Sequence, residues 1–164
     1  MALEVRALEA ADAMRAGNVL RRAYRQIYPD GNTYIDEVAD VERRLSLALV
    51  LGCFLDGRLG GCATLVLDER STFAEELLHG EAGLRMLGVD PDLQHHGIGW
   101  LLVGACARRA RSADRHALVL HTDTKMVAAQ HLYERAGFVR TPERDLTLPE
   151  VTLLCYRLDL DGRS

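Results

Sequence analysis

The sequence predicts one mixed α/β domain over residues 1–164, with a central sheet of about seven strands flanked by four or five helices. Three observations predict it. An apolar hairpin pattern occupies residues 47–67, as antiparallel strands require. The second half alternates helical and strand patterns, which calls for parallel crossovers. At 164 residues the chain can bury one core without disulfide staples, and no linker or repeat argues for a second unit.

Residues 3–7, LEVRA, read as a first strand, and a helix follows from about Glu9 to Tyr24. After the turn residues Pro29-Asp30-Gly31-Asn32, three-and-four spacing predicts a second helix from Ile35 to Leu45. Leu47–Leu55 and Leu59–Leu67 are apolar runs joined by Asp56-Gly57, a hairpin turn signal. The polar stretch 68–81 suggests a helical turn at Phe73–Leu78, and a strand from Gly83 to Val89 stops at Pro91. In Gly97–Arg111, Ile98, Leu101, Leu102, Ala105 and Cys106 make one apolar stripe, with arginines at the C-terminal end where the dipole favours them. Ala117–Leu120 is a short buried strand. A helix from Thr124 to Ala136 ends at Gly137, the residue type for a left-handed cap. Phe138–Arg140 and Val151–Leu160 close the sheet, separated by the loop PERDLTLPE.

Charge and composition exclude several functions. A formal net charge of −4 gives no field that would gather polyanions, so nucleic acid is not an expected partner. No apolar run spans a bilayer, and the N-terminal residues lack a signal-peptide pattern, so no membrane partner is expected. Cys53, Cys62, Cys106 and Cys155 lie in apolar runs without CxxC spacing and read as buried free thiols of a cytoplasmic protein. The six histidines form no HExxH or Cys/His ligand set, so no metal is expected.

The stretch LGVDPDLQHHGIGWLL, Leu87–Leu102, carries the chemistry. A strand ends, a turn follows, and Gly97-Ile98-Gly99 opens a helix whose first amides have no intrahelical partners. Glycines let a ligand approach that backbone, and amides and dipole together suit an anion. The dinucleotide fingerprint is absent because position 102 is Leu, and no Gly-Lys-Ser/Thr ending makes a Walker loop.

Gln94, Gly97 and Gly99 resemble the Gln/Arg-x-x-Gly-x-Gly/Ala motif of the GCN5-related N-acetyltransferase superfamily. A second signature agrees in Ala129, Tyr133, Gly137 and Phe138. The resemblance implies a bacterial member with an acyl-CoA N-acyltransferase fold. It implies that acetyl-CoA is bound and CoA released, with amides from Gln94 through His95, His96, Gly97 and Ile98 to Gly99 around the pyrophosphate. It also implies that Leu87, Gly88 and Val89 lie along the pantetheine arm, where this strand splays from the next near Leu118. Ala129 and Tyr133 face the same cofactor. Trp100 falls within this cofactor set, although by residue type Trp100 and Met86 read as packing residues.

Acyl transfer to an amine needs alignment, a donor for the thioester oxygen and a proton for the departing thiolate. The resemblance places the oxygen donor at a strand amide near Leu87–Val89, and Tyr133 is the candidate acid. Many members carry a Glu where this chain has Gly83, so Glu81, acting through water, is the candidate base; Glu75 and Glu76 read as loop charges. An Asn common seven residues before the Tyr is Met126 here. Tyr28, Tyr34, Arg85 and His121 are candidates for the acceptor side, with Tyr24 and Asp36 nearby in the pattern. The expected function is acetyl transfer to a primary amine of a small molecule or peptide in a ternary complex. The alternatives are a non-catalytic acyl-CoA-binding sensor or partner protein, and a structural module that has lost its pocket. A homodimer through the C-terminal strands is a fold-level expectation.

Overall fold

The computed structural model describes residues 2–161. In chain order its elements are β1 Leu3–Ala7, α1 Ala13–Tyr24, α2 Thr33–Ala39, α3 Val41–Leu45, β2 Leu49–Leu55, β3 Arg58–Val66, β4 Glu81–Val89, α4 Ile98–Ser112, β5 Ala117–Asp123, α5 Val127–Arg135, β6 Val139–Arg140, β7 Leu146–Thr147 and β8 Thr152–Asp159. They form one eight-stranded sheet ordered β1-β2-β3-β4-β5-β8-β6, with β7 also paired to β8. β4 and β5 are parallel, and the other pairs are antiparallel. The mixed sheet with flanking helices is the architecture the sequence predicts.

β2 is apolar throughout, and β3 is apolar apart from Arg58 and Thr64, because both their faces are covered. Leu51, Cys53, Ala63 and Leu65 belong to the core under α4, while Val50, Phe54, Leu59 and Cys62 belong to the core under α1 and α2. Their turn, Asp56-Gly57, has φ of +49° and +84°, the double left-handed turn that matches strand twist.

Three local expectations need correction. The helix expected over Ile35–Leu45 is two helices, broken at Asp40, whose ψ of 70° leaves the helical region. Asp40 caps α3 through the Arg43 amide at 3.2 Å, and buried Arg44 donates to the Glu37 and Val38 carbonyls at 2.9 and 2.6 Å. Side chains thus satisfy the backbone groups that the break exposes. Residues 73–78 form turns without a helix. The loop after β6 contains β7, because Leu146 and Thr147 pair with Leu153 and Thr152.

β4 positions the site. Gly88 and Arg85 of β4 face Cys62 and Thr64 of β3, so β4 carries one extra residue between these pairs. Met86, with φ +52°, marks the bulge. It places Leu87 and Val89 against the α4-side core while Met86 packs on the α1 side. β4 pairs with β5 only through Glu81↔Ala117, Ala82↔Leu118 and Gly83↔Val119. From Leu84 onward its β5-facing edge is open.

Candidate active site

A cleft of about 430 Å³ lies along that open edge. Leu87, Gly88 and Val89 line it from β4, and Gln94, His95, Gly97, Ile98, Gly99 and Trp100 line it from the loop into α4. Ala23, Tyr24, Gln26 and Ile27 close one side; Lys125 through Ala129, Leu132 and Arg135 close the other. α1 lies flat on β4, since a Cβ at Gly88 would come within 2.8 Å of Leu20 and 3.2 Å of Ala23. The Tyr24 hydroxyl donates to the Leu87 carbonyl at 3.1 Å, replacing a bond that β5 does not supply.

The loop entering α4 has a backbone geometry that suits an anion. Among the described residues, the amides of Gln94 through Trp100 donate to no backbone or side-chain acceptor, and the first amide bonded inside the turn is Leu101 to Gly97 at 3.0 Å. His95 and Gly97 have left-handed backbone, φ +68° and +84°. Such alternation makes a concave row of N–H groups, here at the positive end of a fifteen-residue helix. A non-glycine residue at +68° is strained by roughly 1 kcal/mol or more, which the surrounding structure must offset.

Asp90 holds this loop down. Its carboxylate accepts the Asp92 amide at 2.9 Å and pairs with Arg22 at 3.1 Å and Arg58 at 3.4 Å. Burial alone would raise its pKa, but the amide bond and Arg22 outweigh burial and keep it lowered. Gln94 bonds Gln26 of the segment after α1 at 3.0 Å, bridging the cleft mouth. Trp100 is 49% exposed and lines the cleft, with the Arg135 guanidinium 5.9 Å from its ring centroid. His96, placed with the loop by its sequence, turns its Nδ1 onto the Leu93 and Gln94 carbonyls and is outside the cleft lining. The open amide row, with Lys125, Arg135 and His95 on the walls, fits the pyrophosphate of coenzyme A.

Tyr133 is buried with its ring 5.6 Å from Phe138 and 6.1 Å from Tyr156. It is outside the cleft lining, where its neighbours Ala129 and Leu132 stand. Its hydroxyl bonds no described residue, and burial holds the phenol well above the usual tyrosine range. Glu81 is elsewhere employed. Only 2% exposed, it accepts Arg144 on both oxygens, at 2.9 and 2.8 Å, as well as the Leu78 amide at 2.9 Å. Burial raises its pKa, yet Arg144 and the amide bond overcome that and leave it lowered. A carboxylate so engaged is a poor base, and its structural role is to clasp two distant segments.

The four acceptor-side candidates gather on the sheet face away from α4. Tyr24, Tyr28 and Tyr34 cluster with ring centroids 5.9–6.3 Å apart. The Arg85 charge is felt at both Tyr34 and His121. Burial lowers the His121 pKa, and its Nε2 is 2.9 Å from the Arg144 carbonyl. The sequence reading missed Asp123, which accepts the Tyr28 hydroxyl at 2.7 Å, and it missed Lys125, Arg135 and Gln26. Lys125, the chain's one lysine, carried a signal by its rarity; Asp123 carried none.

The model of the acetyltransferase (GNAT) family matches residues 14–138. A mycothiol acetyltransferase from Cellulomonas flavigena is 32% identical over 87 residues, covering 52% of this chain and 25% of that protein, so this chain matches about a quarter of that relative's length. The acetyltransferase YncA from Salmonella typhimurium, solved with its cofactor acetyl-CoA, superposes with a TM-score of 0.70 at 20% identity, over 100% of this chain and 97% of that one. A GNAT-family acetyltransferase from Desulfovibrio desulfuricans gives 0.75 at 20% identity over 97% and 99%. At such identities the likeness to the solved structures is one of fold.

Proposed function

The chain belongs to the acetyltransferase (GNAT) family, whose reaction is acetyl transfer from acetyl-CoA, and on that premise we propose that it is an N-acetyltransferase acting directly on a primary amine of a small molecule or peptide. One observation carries the reading: seven consecutive amides, Gln94–Trp100, have no acceptor among the described residues, at a helix N-terminus beside a strand edge left open by β5.

When bound, acetyl-CoA supplies an acetyl group activated as a thioester. The Gln94–Trp100 amides would hold its pyrophosphate, and the open edge at Leu87 and Val89 would align the arm and donate to the thioester oxygen. Alignment of this kind contributes up to roughly 7–11 kcal/mol of barrier lowering. Tyr133, set behind the Ala129 and Leu132 wall of the cleft, keeps its proton because its phenol is buried, and would deliver that proton to the leaving sulfur. Position 83 on β4 is glycine and offers no carboxylate, so the acceptor amine would enter already deprotonated.

That same absence favours a second reading, a non-catalytic acyl-CoA-binding sensor. A calorimetric titration of cofactor-free protein with acetyl-CoA, followed by an amine panel scored for thiol release, tests both. One-to-one binding with a Kd in the micromolar range or below, together with release, supports the transferase. Binding without release supports the sensor, and absence of binding overturns both.

A further inference from the structure

Among the described residues no Asp or Glu oxygen lies within ion-pairing distance of the Arg85 guanidinium, although burial lowers its pKa. It donates instead to three backbone carbonyls: Leu84 at 3.3 Å, Val119 at 3.4 Å and Glu75 at 2.9 Å. Two of these bonds are long, and a guanidinium has five N–H groups, so the Nε–H and one Nη2–H remain without acceptors. Buried Arg44 is the contrast, with bonds of 2.6, 2.9 and 3.1 Å that tie it into the break between α2 and α3.

Position makes the lack of a partner informative. The Arg85 side chain folds back over Gly83, where a Cβ would stand 3.1–3.2 Å from Cζ, Nη1 and Nη2. It therefore fills the space that a side chain at Gly83 would occupy, in the mouth where β4 and β5 part. The carboxylate on the same strand, Glu81, is consumed by Arg144, with Arg157 at 3.7 Å. Glu75 and Glu76 lie near enough to soften the charge but pair with it at no point. Tyr34 and His121 complete the surroundings.

Arg85 is half-buried, so its two N–H groups without protein acceptors form an open guanidinium edge, and such an edge matches a carboxylate through paired charge-assisted bonds. We propose that Arg85 receives a carboxylate of the acceptor, so that the substrate class is amines bearing a carboxylate: free amino acids or peptides with an acidic residue near the reacting amine. This rests on the transferase reading and narrows it.

The test compares matched acceptors: amino acids against their carboxamides, and short peptides with Glu at the second position against the same peptides with Gln. Wild-type protein is expected to prefer the carboxylate member by at least about tenfold in kcat/KM, since a bidentate guanidinium–carboxylate pair is a strong hydrogen-bonded contact that the amide cannot reproduce. The arm with the larger preference identifies free amino acid or peptide. Arg85→Gln should bring that ratio near one, and Arg85→Lys should restore part of it. The ratio within each variant is read, so a common fall in activity or folding yield does not enter. Equal use of both members by the wild type, or a preference that survives Arg85→Gln, overturns the proposal. If acetyl-CoA binds but no acceptor reacts, the transferase reading has failed separately. Calorimetry of the CoA-loaded protein with the carboxylate probes then decides the matter: Arg85-dependent binding supports the carboxylate site, and no binding overturns it.

Discussion

Arg144 grips both carboxylate oxygens of Glu81 across 63 residues of sequence, at 2.9 and 2.8 Å. It joins the segment after β6 to the start of β4, and its Nη2 also reaches the Glu76 carbonyl at 2.8 Å. Removing one member of a buried pair leaves the other uncompensated, so Glu81→Gln should cost about 3 kcal/mol in chemical denaturation. Its pH–rate profile should keep the wild-type shape. Loss of a kinetic pKa in that variant would return Glu81 to catalysis.

Acid stability follows from the same pair. The folded-state pKa of Glu81 is lowered, so its contribution is present above the unfolded value and is lost as pH falls through the folded value. Thermal melts from pH 7 downward should show the wild type losing more stability than Glu81→Gln below the usual glutamate range. Parallel curves would contradict the clasp.

Tyr133→Phe separates packing from proton transfer. The hydroxyl bonds no described residue while the ring packs on Phe138 and Tyr156, so the melting temperature should barely move. With chemistry limiting, kcat should fall by about a hundredfold, and acetyl-CoA affinity measured by calorimetry should hold. Unchanged kcat would remove Tyr133 as the acid.

The rate should rise with pH along the titration of the acceptor amine, because β4 offers no carboxylate base at Gly83. An acceptor of lower amine pKa should shift the rising limb down in step. Burial keeps the Tyr133 proton in place above the usual tyrosine range, so no falling limb should appear through about pH 10. A rising limb that ignores the acceptor would reveal a resident base.

At Gly97 an added Cβ meets nothing within 4 Å, and the restriction is the left-handed backbone. Gly97→Asn, which tolerates that conformation, should bind acetyl-CoA within a few-fold of wild type, while Gly97→Glu should weaken it by at least about tenfold through strain and repulsion. Equal affinities in a calorimetric comparison would discount the amide row.

What was legible in the sequence was local. Gln94, Gly97 and Gly99 announce their loop because anion binding by amides imposes glycine at fixed offsets, and the Asp56-Gly57 turn is equally explicit. Three features are set instead by distant partners. The Met86 bulge depends on the β3 register, and neither neighbouring residue type declares it. Asp40 looked like one more polar helix residue until Arg44 closed the break beneath it. Glu81 was legible as a carboxylate near the site, but its occupation by Arg144 depends on a loop 63 positions away.

The parallel contact between β4 and β5 is three residue pairs long, and it divides the sheet into two antiparallel leaves. Mechanically it is a short seam between two well-stitched panels, held near its base by the Glu81–Arg144 clasp and underlaid by α4. Any molecule that bonds along the unstitched part lengthens the seam, so the backbone experiences it as added cloth. Occupancy should therefore register at the margin of the opposite panel, in slower amide exchange at Val119 and Leu120, well before any side chain there touches the guest.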